Sequence, residues 1–209
     1  MTVMADVLTP RALRRGRLQS LALDGGLILL GSLFVALTAR VTLWLPFTPV
    51  PITGQTFGVL LCGALLGPWR GGLALLAYLS EGLMGLPVFA GGTSAWSPSA
   101  FGVPVILGPT AGYLFGFVPA AFFVGLLASR GWDRSFWRAA LAMVAGEAAI
   151  YALGLPWLAR YVGPGAAVSL GLLPFIPGDI LKLLLASALL PAGWRILQVL
   201  GAKQISETK

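Results

Sequence analysis

The sequence contains no histidine and a single cysteine, and charged residues make up only 10% of its 209 positions. Without histidine there is neither a Ser-His relay nor an HExxH zinc site. Cys62 lies alone in the apolar run GVLLCGALLG, which leaves no disulfide framework and no Cys/His metal site and reads as a soft buried thiol. No GxxxxGK[ST] occurs, so the chain brings no P-loop of its own to ATP phosphates. An enzyme, a resident metal and a cofactor are all unexpected. What remains is a chain that binds or moves something, with the energy supplied elsewhere.

What is abundant is apolar material. Hydrophobic residues make up 57% of the chain and the mean hydropathy is +0.89, which points to an all-α integral membrane protein. The formal net charge is +7, yet the basic residues fall between the hydrophobic runs and have a topological explanation. No nucleic-acid partner is expected; the bilayer is the expected surroundings. With about 20 apolar residues needed per crossing, six spans are expected at 21–45, 54–67, 73–88, 104–128, 139–160 and 171–193. The second and third are short, which suggests tilted or sheltered helices. The Arg-rich start RALRRGRLQS before an apolar run imitates a signal peptide, but a cleavage after ALTA would place Leu37 where a small residue belongs, so this run reads as helix 1. The expected organisation is a basic segment at 1–20, a six-helix membrane domain at 21–193 and a tail at 194–209.

Orientation follows from the loops. Eleven of the fourteen basic residues fall on one side: Arg11, Arg14, Arg15 and Arg17 before helix 1, Arg70 between helices 2 and 3, Arg130, Arg134 and Arg138 between 4 and 5, and Arg195, Lys203 and Lys209 at the end. Both termini are therefore expected in the cytoplasm. All seven tryptophans fall at span ends or in loops, where an amphipathic ring prefers the headgroup region. The opposite loops carry almost no charge. PFTPVPITGQT between helices 1 and 2 has three prolines that forbid continued helix, and LPVFAGGTSAWSPSAFGVP between helices 3 and 4 is rich in Gly, Ser and aromatics. Both are long enough to fold over the outer mouth of a bundle, though loops of this length also serve as plain connections. No internal repeat supports an inverted-repeat carrier.

Charge inside a span marks the candidate chemistry. Asp179 and Lys182 in PFIPGDILKLLLASALLP are at i and i+3, on one face of helix 6 and in its outer third. Each alone costs roughly 2.5 to 3.5 kcal/mol at a helix centre. Two readings stand: a mutually neutralised structural pair, or the lining of a ligand site. Pro174, Pro177 and Gly178 beside them suit a backbone approached by another group. A carboxylate accepts and an ammonium donates, so the pair fits a ligand that offers N–H donors and a carbonyl. Tyr113, Tyr151, Gln55 and Thr53 are further candidates to line an outer pocket, with Tyr113 placed ahead of Tyr151 because Gly108, Gly112 and Gly116 thin the helix around it. Glu81 and Glu147 are expected to be protonated or paired, with roles open, and Asp24 to meet headgroups or Arg17. On helix 1, Ala22 with Gly26 and Ser32 with Ala36 are small-xxx-small pairs, suited to a partner or to internal packing.

The blocks PFTPVPITGQTFGVLLCGALLGPWRGGLALLAYL, GLPVFAGG, GPTAGYLFGF and LPFIPGDILK, in this order and spacing, resemble the BioY family, the biotin-specific substrate-binding (S) components of energy-coupling-factor transporters. The resemblance covers approximately residues 40 to 193. It implies a six-helix S-component bundle in a prokaryotic cell (inner) membrane and capture of biotin from outside. Uptake is then driven by ATPase subunits through a transmembrane coupling protein. The family's binding residues on the last helix carry over to Asp179 and Lys182, and its pocket-closing loops to the segments holding Phe47, Thr53 and Gln55 and holding Phe89, Gly92, Thr93 and Trp96. Its helix-1 docking on the coupling protein maps to Ser32 and Ala36. Biotin itself, with an apolar ring and chain, a ureido group and a carboxylate, suits an apolar pocket with few placed polar groups. An S component for another vitamin, and a membrane scaffold with a structural Asp–Lys pair, are the alternatives.

Overall fold

A computed structural model describes residues 2–9 and 16–207; Arg11, Arg14, Arg15 and Lys209 of the orientation argument lie outside them. In chain order the elements are α1 (Met4–Leu8), α2 (Arg17–Thr38), β1 (Thr42–Leu43), β2 (Ile52–Thr53), α3 (Gln55–Leu66), α4 (Pro68–Leu83), α5 (Ala111–Ser129), α6 (Phe136–Val162), α7 (Pro164–Gly171) and α8 (Ile176–Glu207). Of these, α2, α5, α6 and α8 are long and apolar enough to cross a membrane, while α3 is a shorter apolar helix. Leucines on the outer faces of α2 and α8, such as Leu29, Leu33, Leu181 and Leu189, are exposed, as a lipid-facing surface requires.

Each expected apolar run holds a helix, but the borders move for local reasons. The first helix stops at Thr38 rather than 45, because the chain turns into a two-stranded antiparallel hairpin, Thr42 opposite Thr53 and Leu43 opposite Ile52. The prolines of PFTPVP form the tip of that hairpin. The fourth helix starts at Ala111 rather than 104: Pro98 and Pro104 face each other across a β-bridge, so this proline belongs to the loop. The sixth run holds α8, which starts at Ile176 rather than 171 and continues through Pro191 to Glu207, past the expected border at 193, while the separate short α7 precedes it.

Close approach of the helices rests on glycine. A Cβ built on Gly63 would lie 2.4 Å from the Ala121 carbonyl oxygen, and one on Gly116 would lie 2.9 Å from the Ile150 Cα. These contacts are backbone on backbone, which is how helices pack where lipid supplies no hydrophobic drive. At Gly67 the chain takes φ +85° and ψ 179° between α3 and α4, a region that only glycine occupies freely. Pro68 then opens α4 with a φ already suited to a first turn.

Polar contacts tie the terminal segments and the helices to one another. Arg70 joins Asp6 at 2.7 Å and Asp24 at 2.9 Å, so Arg70 is a partner of Asp24 that the sequence does not suggest. This fastens α1, whose Met4 and Ala5 are buried, to the α3–α4 corner. Glu81 accepts a 2.7 Å hydrogen bond from the Ser32 hydroxyl, joining α4 to α2. In the α5–α6 connection, Asp133 is buried and accepts a 2.5 Å hydrogen bond from the Trp194 indole, with the Arg134 guanidinium 4.6 Å above the same ring. Burial pushes the Asp133 carboxyl above its ordinary 3.8, opposed by the Trp194 bond and Arg134. A raised acid keeps its proton in the folded state while the unfolded chain has lost it, so its contribution is present below 3.8 and is lost as pH rises through the folded value. Thermal unfolding in detergent is therefore expected to show the advantage of wild type over Asp133→Asn shrinking as pH rises above 3.8; a constant difference would contradict the assignment.

Candidate ligand-binding site

Six parts of the chain converge on one cavity of about 280 Å³. The hairpin supplies Trp44, Val50 and Thr53, and the first turn of α3 supplies Gln55 and Thr56. The loop after α4 supplies Phe89, Thr93 and Ser99. Helices α5 and α6 supply Tyr113, Phe117, Ile150 and Tyr151, and the start of α8 supplies Phe175, Asp179 and Lys182. The wall is mainly apolar and aromatic, with polar groups gathered at the α3–α6–α8 side, which is the pattern of a small-molecule site.

Asp179 sits in the first turn of α8, where a helix N-terminus favours an anion. Its Oδ1 accepts a 3.0 Å hydrogen bond from the Lys182 ammonium, and its Oδ2 accepts one from the Tyr151 hydroxyl. Lys182 also donates to Thr56 Oγ1 at 3.0 Å. The pair is thus formed as the i, i+3 spacing indicates, and it faces a cavity rather than lipid. Gly178 contributes less than expected: a Cβ there would meet only Ile52 at 3.8 Å, an ordinary contact.

A second network fixes the α3 corner. Gln55 donates from Nε2 to Tyr78 at 2.6 Å, accepts from Thr53 at 3.0 Å, and Tyr78 passes its own proton to the Val88 carbonyl at 2.9 Å. The fully buried Tyr78 therefore locks Gln55 and the post-α4 loop together. Phe89, also buried, stacks against Tyr78 with ring centroids 5.3 Å apart, in space left by Gly82, whose built Cβ would lie 2.2 Å from the Phe89 ring.

Seven of the ten expected binding residues line the cavity: Asp179, Lys182, Tyr113, Gln55, Thr53, Phe89 and Thr93. Phe47 and Trp96 are exposed, at 58% and 59%, and stand outside it; the Trp96 indole is occupied by the Leu83 carbonyl at 2.8 Å. Gly92 is at φ +83° against the Arg40 guanidinium, also away from the lining. Both tyrosines line the cavity, but they differ in partner. Tyr113 gives its hydroxyl to the Gly171 carbonyl at 2.9 Å and serves as wall, whereas Tyr151 bonds the charged pair directly. The glycines near Tyr113 accommodate helix contacts, as at Gly112 against Trp157 and Leu153. Trp44, Thr56 and Ser99 also line the cavity, although the sequence does not single them out. Trp44 reads as a headgroup-belt ring, and Thr56 has the same sequence neighbourhood as Thr53 and Gln55, differing only in which way the first turn of α3 points it.

Ser32 and Ala36, expected to dock a partner, are 1% and 7% exposed and pack inside the bundle. Ala22 and Gly26 are the small pair on the open face of α2, where nothing lies within 4 Å of a Cβ built on Gly26.

Comparison with known proteins bears on the whole of this arrangement. The chain is 43% identical over 152 residues to a probable biotin transporter BioY of Pyrococcus horikoshii, covering 72% of this chain and 85% of that one. It is 43% identical over 144 residues to the biotin transporter BioY of Thermotoga maritima, covering 68% and 80%, and 36% identical over 171 residues to that of Rhizobium etli, covering 77% and 87%. Among solved structures, the S-component for biotin from an ECF-type ABC transporter superposes with a TM-score of 0.69 at 26% identity, covering 85% of this chain and 93% of that one. The sequence profile of the BioY family matches residues 14–199, a stretch that takes in every cavity-lining side chain, and the chain is a member of that family.

Proposed function

We propose that this protein is the biotin-binding S component of an energy-coupling-factor transporter, a multi-pass subunit of a prokaryotic cell membrane that captures biotin from the outer side. The observation that carries the reading is the cavity itself: apolar walls around the Asp179–Lys182–Tyr151 cluster. In this reading Asp179 accepts a ureido N–H of biotin, and Lys182 donates to the ureido oxygen or to the carboxylate. Phe117, Phe175 and Trp44 pack on the thiophane and the valerate chain.

The proposed topology has six spans, α2, α3, α4, α5, α6 and α8, with both ends in the cytoplasm. The short α3 and α4 are sheltered: Leu60, Leu61, Ala64, Ala74 and Leu75 are buried. The hairpin and the loop after α4 then lie over the outer mouth. A transmembrane coupling protein and ATPase subunits supply the energy, with the open face of α2 available for contact.

Retention of radiolabelled biotin by the purified chain tests this, with thiamin and riboflavin as competitors. Nanomolar binding displaced only by unlabelled biotin is the expected result. Displacement by another vitamin would reassign the substrate, and absence of any small-molecule binding would leave the Asp–Lys pair a structural feature of a scaffold.

A further inference from the structure

One buried acidic group near the cavity is unused by the function just proposed. Glu147, on α6, is 8% exposed, and neither of its carboxyl oxygens has a hydrogen-bond partner among the described residues. It precedes Tyr151 by four residues, so the two share the helix face turned to α8. Its polar neighbours there are Thr56, Asp179 and Lys182. A buried carboxyl group without a donor is costly and rare enough to require a reason.

The reason is supplied by the state of the pair in front of it. Lys182 has three donors, two of them engaged by Asp179 and Thr56. Asp179 has one oxygen on Lys182 and the other on Tyr151. A ligand N–H that reaches Asp179 joins two donors already on that carboxylate, which has further lone pairs to offer but divides its charge among more partners. A second acidic group near Lys182 gives the ammonium an alternate acceptor when that happens.

We propose that Glu147 is a positioning residue for ligand capture: it is the alternate counter-ion that takes the Lys182 ammonium when the ligand occupies Asp179. The exchange creates no charge in the low-dielectric interior, since one ammonium stays among the same carboxyl groups and only its hydrogen-bonding partner changes. Thr56, beside both Lys182 and Glu147, keeps one contact to the ammonium throughout. The proposal rests on the reading of the cavity as a biotin site.

Charge and shape make opposite demands at this position, which gives the test. Glu147→Gln keeps the outline and removes the charge; Glu147→Asp keeps the charge and shortens the side chain. Biotin dissociation constants are measured for wild type and both variants, after thermal unfolding has shown each to be folded. The expected order is an Asp variant within about threefold of wild type and a Gln variant weaker by about tenfold or more. A Gln variant that binds like wild type, or an Asp variant weaker than the Gln variant, would overturn the proposal and assign Glu147 to packing. Should a variant not fold, the biotin-bound structure of wild type decides: Lys182 bonded to Glu147 supports the exchange, and Lys182 still on Asp179 ends it. Failure of wild type to bind biotin at all would instead sink the functional reading, so the two failures are separable.

Discussion

Asp179→Asn is expected to weaken biotin binding by about a hundredfold to a thousandfold, read as the dissociation constant of the purified protein. The reason is that Asp179 holds two partners at once, the Lys182 ammonium at 3.0 Å and the Tyr151 hydroxyl. An asparagine in the same place offers one neutral acceptor and turns an NH2 group toward donors. Lys182 is then left as a half-buried cation whose remaining side-chain hydrogen bond among the described residues is to the Thr56 hydroxyl. Removing one partner of a buried pair costs about 3–5 kcal/mol, and each 1.4 kcal/mol is tenfold in affinity. Part of this falls on stability, so thermal unfolding is measured beside binding. Lys182→Ala is expected to act in the same direction, leaving Asp179 to Tyr151 alone among its present side-chain partners. A Kd for both variants within a few-fold of wild type would remove the pair from the site.

The second large effect concerns the frame behind the site. Gly116→Val is expected to destabilise the protein by about 3 kcal/mol or more, beyond ordinary overpacking of a core, and to abolish biotin binding with it. The built Cβ lies 2.9 Å from the Ile150 Cα and 3.0 Å from the Ile150 carbonyl oxygen, so backbone rather than a movable side chain stands in the way. Forcing α5 from α6 at this level separates Tyr113 from Tyr151, whose rings meet edge to face at 6.1 Å. It also opens the wall made by Phe117 and Ile150. Gly26→Ala, inside α2 on its open face with no atom within 4 Å, is the control and is expected to cost nothing, with a gain of up to about 1 kcal/mol from the better helix former. Equal thermal unfolding of the two variants would contradict the packing account.

The parts legible in the sequence were those set by solvent and spacing. Apolar runs located the helices because bilayer thickness dictates their length, and the i, i+3 spacing of Asp179 and Lys182 placed both on one face. What was not legible depended on contacts distant in the chain. Tyr78 in the middle of an apolar run carries no local sign that it will hold Gln55 and the Val88 carbonyl. Tyr113 and Tyr151 look alike in sequence, and only the positions of α7 and α8 decide that one hydroxyl meets Gly171 and the other Asp179. Small residues are ambiguous for the same reason. Ser32–Ala36 and Ala22–Gly26 have the same four-residue spacing on one helix, yet the first pair is covered by the bundle and the second is open. Phe47 and Trp96 belong to the right loops but point away, since a loop that closes a cavity necessarily has an outer surface.

A structure of the purified chain with biotin bound tests the central claim most directly. The account predicts the vitamin enclosed between the hairpin, α5, α6 and the start of α8, with its ureido group hydrogen-bonded to Asp179 and its apolar portion against Phe117 and Phe175. Biotin bound elsewhere on the chain, or held in this cavity without contact to Asp179 or Lys182, would contradict it.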